Sequence, residues 1–340
     1  MRRFLCGFLI AIASLPLCAA DHADVAFLTI DQARAAIVDE TIEPYFSLLQ
    51  PQEMACKTGS VVPGADLAAQ RDECRKRYRE AARAFSAEEQ KAITGVVASV
   101  FPYLAETYPR FAAVPWRFVK LDPAIEGGLP HTRGGCIVLS DDVLPMMVGR
   151  GGQKLNPQAA RLLVHEQMHV LQRTDPQPFA TLFTQTWGFV RLAKPPIATP
   201  ALLSHQLVNP DGVDCGWAFP VTVGGVTTLH QPLVVLGSSA AVPEMPGDFA
   251  EVALELVADG SAYRTAASGE AASMPLHELQ AYATAFNPSH EMFHPNETSA
   301  DLFSLMVVRD ILGAKSDKEP AAIVGLRAWA RTQLAAAAVK

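Results

Sequence analysis

The run from Asn156 to Arg173 has fewer ways to fold than any other part of this 340-residue chain. Asn156 can cap a helix with its side-chain oxygen, and Pro157 has its φ preset for the first helical position. Asp175-Pro176 stops the run at its other end. Val164, Met168 and Leu171 recur on one stripe suited to a core, which leaves His165 and His169 on another face with Leu162 and Gln172. A helix is therefore expected. It carries His165-Glu166-Gln167-Met168-His169, with two imidazoles one turn apart and a carboxylate beside them.

Imidazoles at i and i+4 can reach a single metal ion, and a carboxylate next to the first can act as a base. Catalytic zinc takes three protein ligands and keeps a fourth position open, so a third ligand is required. Two segments compete for it, Glu297-Thr298-Ser299-Ala300-Asp301 and Glu255-Leu256-Val257-Ala258-Asp259. Pro295 can open a helix whose first turn carries Glu297, with Asp301 one turn further along the same face. Around Glu255, apolar Val252, Leu254 and Leu256 alternate with Glu251, Ala253 and Glu255, and Asp259-Gly260 is a hairpin-type turn, so this segment reads as a strand. Glu297 is preferred and Glu255 stays open. Cys136 offers a thiolate of acceptable chemistry, and Gly134-Gly135-Cys136 has some likeness to the cysteine-ligand region of peptide deformylases, without their Cys-Leu-Ser run.

HEQMH with a distant Asn296-Glu297-Thr298-Ser299-Ala300-Asp301 resembles the gluzincin group of zinc metallopeptidases. The resemblance covers about a dozen residues, and the His294-Pro295 lead-in is similar to a variant in uncharacterised secreted bacterial proteins. It implies Zn2+ held by His165, His169 and Glu297, Glu166 as catalytic base, and Asp301 as the group that orients a zinc-bound histidine. It also implies hydrolysis of a peptide or protein substrate by a metal-activated water. An oxyanion donor is left unassigned among His230, His277, His290 and Tyr263. Two other classes stay open: a zincin-derived binding or scaffold protein, against which the intact Glu166 argues, and an amide hydrolase acting on non-peptide or cell-wall substrates.

The fold expected is α+β and zincin-like, mainly helical, with a small mixed sheet and a β-rich insertion between the two metal-binding helices. Residues 1–20 have the charged start, apolar run and small-residue end of a secretory signal, broken by Pro16, and imply a secreted or periplasmic protein. Residues 21–340 then form a single domain. Its parts are a helical stretch at 21–110, an edge strand and the motif helix at 111–175, a Pro/Gly-rich insertion at 176–260, and a helical part with the third ligand at 261–340. Helices are expected at 31–49, 66–85 and 87–106, ended or kinked by Pro44 and Pro102, with Ser86 and Glu89 as a capping box on the last. Strands are expected at Trp116 to Val119 and Cys136 to Leu139, a hairpin about Gly224-Gly225, and final helices from Pro295 and Pro320.

Loss of Arg2 and Arg3 with the signal leaves 26 basic against 35 acidic residues, a net charge of −9 that gives nucleic acid no basic stripe. The basic run at 71–79 reads as a solvated helix face. No other segment is apolar for long enough to span a membrane. Cys56, Cys74, Cys136 and Cys215 remain, an even number in an oxidising compartment. A Cys56–Cys74 disulfide is expected, with Cys136–Cys215 by elimination. Asn296-Glu297-Thr298 fits a glycosylation acceptor, but a glycan there would crowd the metal site.

Overall fold

The computed structural model describes residues 22–148, 155–214, 216–265, 273–286, 292–314 and 319–335. The expected signal segment, Cys215, His290 and the last residues of the final helix lie outside them. The described chain is a mixture of helices and two sheets.

The first sheet contains β1 (Val25–Phe27), β2 (Ala82–Arg83), β3 (Trp116–Leu121), β4 (His131–Arg133) and β5 (Cys136–Ser140). Its order is β1-β3-β5-β4, with β2 also paired to β3. β1, β3 and β5 run parallel, whereas β2 and β4 are antiparallel to their neighbours. β3 and β5 bury apolar side chains on both faces, as strands covered from both sides do. Phe118, Ile137 and Leu139 join a core shared with the helices Ala87–Thr107, Pro157–Thr174 and Pro295–Ile311. Val119, Leu121 and Val138 meet Ile37, Tyr45, Phe46 and Tyr78 from the N-terminal region. The segment 136–139 is therefore interior, and the edge strand beside the motif helix is β4, whose three residues give no readable alternation in the sequence.

The first expected helix is much shorter than 31–49, spanning only Ile30–Ala36. Asp39 and Glu40 take the backbone N–H groups of Thr41 and Tyr45 at 2.9 and 2.6 Å, offering the chain a turn instead of a further helical ladder. A separate helix, Pro51–Lys57, comes next. The second expected helix ends at Glu80, shortly before β2, and on it Arg71 and Arg77 hydrogen-bond nearby loops while Arg75 pairs with Glu40. The third has the expected Ser86 and Glu89 capping box but runs through Pro102 to Thr107, held by its buried face of Val97, Val100, Phe101 and Leu104.

The second sheet is built by the turn-rich stretch and by the residues just beyond it. β6 (Val190–Arg191), β7 (Trp217–Val223), β8 (Val226–Leu236), β9 (Phe249–Asp259) and β10 (Ala262–Thr265) form an antiparallel succession, and β11 (Ser273–Pro275) pairs with β9. The expected β7–β8 hairpin is present, with Gly224 and Gly225 at φ 58° and 82°, values open to glycine at both central positions. Among the described residues no helix is long and apolar enough to cross a membrane.

Cys56, Cys74 and Cys136 are free thiols, so the expected Cys56–Cys74 bridge is not formed. Cys74 packs among Ile37, Phe46 and Tyr78, whereas Cys56 faces Leu207, Val234 and Leu236 in a different cluster. Sequence proximity placed them on two helices whose buried sides diverge.

Phe303, fully buried, sits 5.0 and 5.2 Å from the rings of Phe111 and Tyr108 and joins the helix Pro295–Ile311 to the core. Phe303→Ala should lower the unfolding free energy by about 3–5 kcal/mol through lost burial and the cavity left behind. A urea titration checks it: the midpoint should fall at an unchanged slope.

Candidate metal centre

The motif helix starts as the sequence implies, with Asn156 accepting the Ala159 N–H and Pro157 at the first position. The second ligand helix starts at Pro295, with His294 Nδ1 accepting from Asn296 N at 3.1 Å. Leu163, Val164, Met168 and Leu171 of the first and Ala300, Phe303, Met306 and Val307 of the second bury into one core. Burial of those stripes turns the polar stripes of the two helices toward each other.

The result is a convergence of three side chains from positions 165, 169 and 297. His165 Nε2 and His169 Nε2 are 3.0 Å apart, and each lies 3.3 Å from Glu297 Oε2. Ligand atoms about 2.0–2.1 Å from a tetrahedral ion would be spaced by about 3.3 Å, so the donors fit such an ion closely. Among the described residues this is the one group of at least three His, Cys, Asp or Glu side chains arranged to hold a metal.

Electrostatics reinforce the geometry. Burial works against a charge on His165, but the hydrogen bond to Glu297 and the charges of Glu166 and Glu297 carry its pKa up to about 10. Burial also opposes ionisation of Glu297, yet the two histidines hold it well below the usual carboxylate range. Protons held among the three groups thus stand where a cation would sit, and a bound cation would displace them.

Gln172 decides which nitrogen of His169 faces that point. Its Oε1 lies 2.8 Å from His169 Nδ1, while its Nε2 donates to Asn296 O at 3.0 Å and to Ser299 Oγ at 2.8 Å. A carbonyl only accepts, so the Asn296 contact fixes the amide orientation and places the proton on His169 Nδ1. The Nε2 lone pair then faces the point where the three side chains converge. Asn209 Nδ2 donates to Glu297 Oε1, which leaves Oε2 facing the histidines.

Asp301, expected to orient a histidine, pairs with Arg161, and the orienting bond to His169 comes from Gln172. Glu255 is exposed on β9, opposite His230 on β8, and is absent from the metal group. Cys136 lies in β5 and is likewise absent. Of the described oxyanion candidates, His277 lines the cavity over the site, whereas His230 and Tyr263 do not. Asn296 already donates its side-chain amide to Asp211 O at 3.2 Å, so a glycan there would break the site's frame.

Glu166 is 4% exposed and its Oε2 has no hydrogen-bond partner. Burial first, then the charge of Asp211, raises its pKa to about 8. With His165 and Glu297 it lines a cavity of about 1100 Å3, which Leu207, Phe249, Met274 and Phe293 also line. One wall holds a cluster that sequence reasoning missed. Lys57 Nζ lies 3.0 Å from Glu126 Oε2 and 2.8 Å from Tyr45 OH, and Tyr45 and Tyr78 both donate to Glu126 Oε1. Glu126 takes φ 52°, a left-handed conformation uncommon for a residue with a Cβ.

The sequence did carry a signal for Gln172, which shares the histidine face. It carried none for Asn209, Lys57 or Glu126, whose partners lie 88 and 69 residues away.

Comparison with protein-family models, with curated proteins and with solved structures yields no match for this chain. The chemistry of the site therefore rests on its own geometry.

Gln172→Leu should lower metal affinity by about 10–100-fold, because the His169 ring loses its orienting acceptor. Competition against a chromogenic chelator measures this, and an unchanged affinity would remove Gln172 from the site.

Proposed function

We propose that the protein is a zinc-dependent hydrolase that cleaves peptide bonds, with His165, His169 and Glu297 as ligands and Glu166 as general base. The observation that carries this reading is the convergence of His165, His169 and Glu297 at 3.0–3.3 Å beside the unpartnered carboxylate oxygen of Glu166. Two imidazoles and one carboxylate form a donor set suited to catalytic zinc, and His165 and Glu297 open onto the cavity. When bound there, zinc polarises a carbonyl and lowers the pKa of water toward about 7.

The chain's own residues supply the rest. Glu166 is placed to take a proton from the attacking water and return it to the leaving nitrogen, and its raised pKa suits a group that must do both near neutral pH. Glu166 lines the cavity, where an incoming O–H would approach its carboxylate. Gln172 and Asn209 hold His169 and Glu297 in place, so little reorganisation is needed as charge develops. Leu207, Phe249 and Phe293 give the cavity an apolar wall beside the reacting groups. A base beside the ligands favours catalysis over a purely structural metal site, which needs none. The proposed setting is extracytoplasmic, on the sequence of residues 1–20.

Purified wild type, supplied with zinc and then desalted, should carry one zinc per chain by plasma mass spectrometry. Glu166→Gln should keep the metal while cleavage of a random peptide mixture falls by about 10²–10⁴-fold. Glu297→Ala should lose the metal and Glu255→Ala should keep it. Wild type without stoichiometric zinc would sink the assignment, as would full activity in Glu166→Gln.

A further inference from the structure

His131 lies in β4, on the wall of the same cavity as the metal centre, and is 4% exposed. Its Nδ1 is 3.0 Å from Leu129 O, which can only accept, so the ring proton sits on Nδ1. Nε2 is then a buried lone pair, and it has no partner. An unmet buried acceptor is destabilising, and a ligand N–H or O–H that reached it would remove the deficit. Burial lowers the pKa of His131, which keeps the lone pair available at neutral pH.

The surroundings select among donors by charge. Among the described residues that line the cavity, two basic side chains, Lys57 and Arg161, face six acidic ones, among them Glu126 and Asp211. With Glu166 protonated, as its raised pKa implies, and His165 neutral as a ligand, five carboxylates against two basic groups and a bound divalent ion leave a formal charge of −1. Both basic groups are already engaged, Lys57 with Glu126 at 3.0 Å and Arg161 with Asp301. Asp211 is anchored next to His131, where it lies 3.6 Å from the Arg173 guanidinium, which offsets part of its charge, and accepts the Thr132 backbone N–H at 2.8 Å. That contact also occupies the Thr132 amide, so recognition at this point of the strand falls to side chains.

We propose that His131, flanked by Asp211 and Glu126, forms a subsite for a positively charged, N–H-bearing group of the substrate, an alkylammonium or guanidinium. A neutral acceptor inside a net-negative cavity favours a cation that can donate over an apolar group of the same length. The proposal rests on the hydrolase reading only in making that group part of a substrate. His131 acts here as a specificity-determining residue.

Two measurements separate this inference from the metal assignment. In the first, zinc-loaded full-length protein is titrated with acetohydroxamate, lysine hydroxamate and norleucine hydroxamate, which share a metal anchor and differ in the tail. Wild type should bind the lysine compound about tenfold or more tightly than the norleucine one, as expected for a hydrogen bond to a charged group. His131→Leu should abolish the preference without changing acetohydroxamate affinity, and His131→Gln, which keeps an acceptor, should restore part of it. Equal binding of the two by wild type would overturn the subsite. In the second, butylammonium is titrated while the His131 Nε2 resonance is followed by 15N NMR. A saturable shift supports the subsite even if the hydroxamates fail to bind, in which case it is the metal assignment that falls. Absence of any shift overturns the subsite even if zinc is present.

Discussion

The carboxamide of Gln172 is the joint on which the centre depends. It belongs to the motif helix, yet its Nε2 donates to Asn296 O and Ser299 Oγ of the other ligand helix while its Oε1 faces His169 Nδ1. One planar group therefore ties the two helices together and sets the histidine tautomer. Because these contacts are buried, a competing arrangement would strand a donor or an acceptor away from water. The 3.3 Å spacing of both imidazoles to Glu297 arises from that lock together with the apolar packing beneath it.

The long connection between the ligand helices takes part in the same frame. From it Asn209 reaches Glu297, Asp211 accepts from Thr132 on β4, and Pro210 O accepts from Arg173 at the end of the motif helix. Arg173 also meets Glu43 and Thr132 Oγ1, so one guanidinium gathers the N-terminal region, the edge strand and the connection around the site. Gly212 fits this packing because a Cβ there would come within 2.9 Å of the His294 ring. His294 in turn caps the second ligand helix. A segment that reads as an insertion in one dimension is a structural wall of the centre in three.

Much of the site was legible because its determinants are local. The N-cap and proline at Asn156-Pro157, the stripe of Val164, Met168 and Leu171, and the proline start at Pro295 each act within one or two turns. The same period distinguished Glu297 from Glu255, since alternation around the latter marked the strand that β9 turned out to be. Readings that needed distance failed. Cys56 and Cys74 looked like partners because they flank the loop from Gly59 to Gly64, but their helices bury them in different clusters. Asp301 sits on the ligand helix as expected, but its partner is Arg161.

By itself the sequence determined the helices that carry His165, Glu166, His169 and Glu297, and so the chemistry this chain can offer, because caps, prolines and apolar period act between near neighbours. Only the tertiary structure brought the Glu297 carboxylate to the two histidines, turned His169 Nε2 toward it, and placed His131 and the Lys57–Glu126 pair on the same cavity. Those outcomes depend on buried groups far apart in the chain finding one another. Their pairing is set by the requirement that no charge or hydrogen-bonding atom be left alone in the core, a condition that exists only once the core has formed.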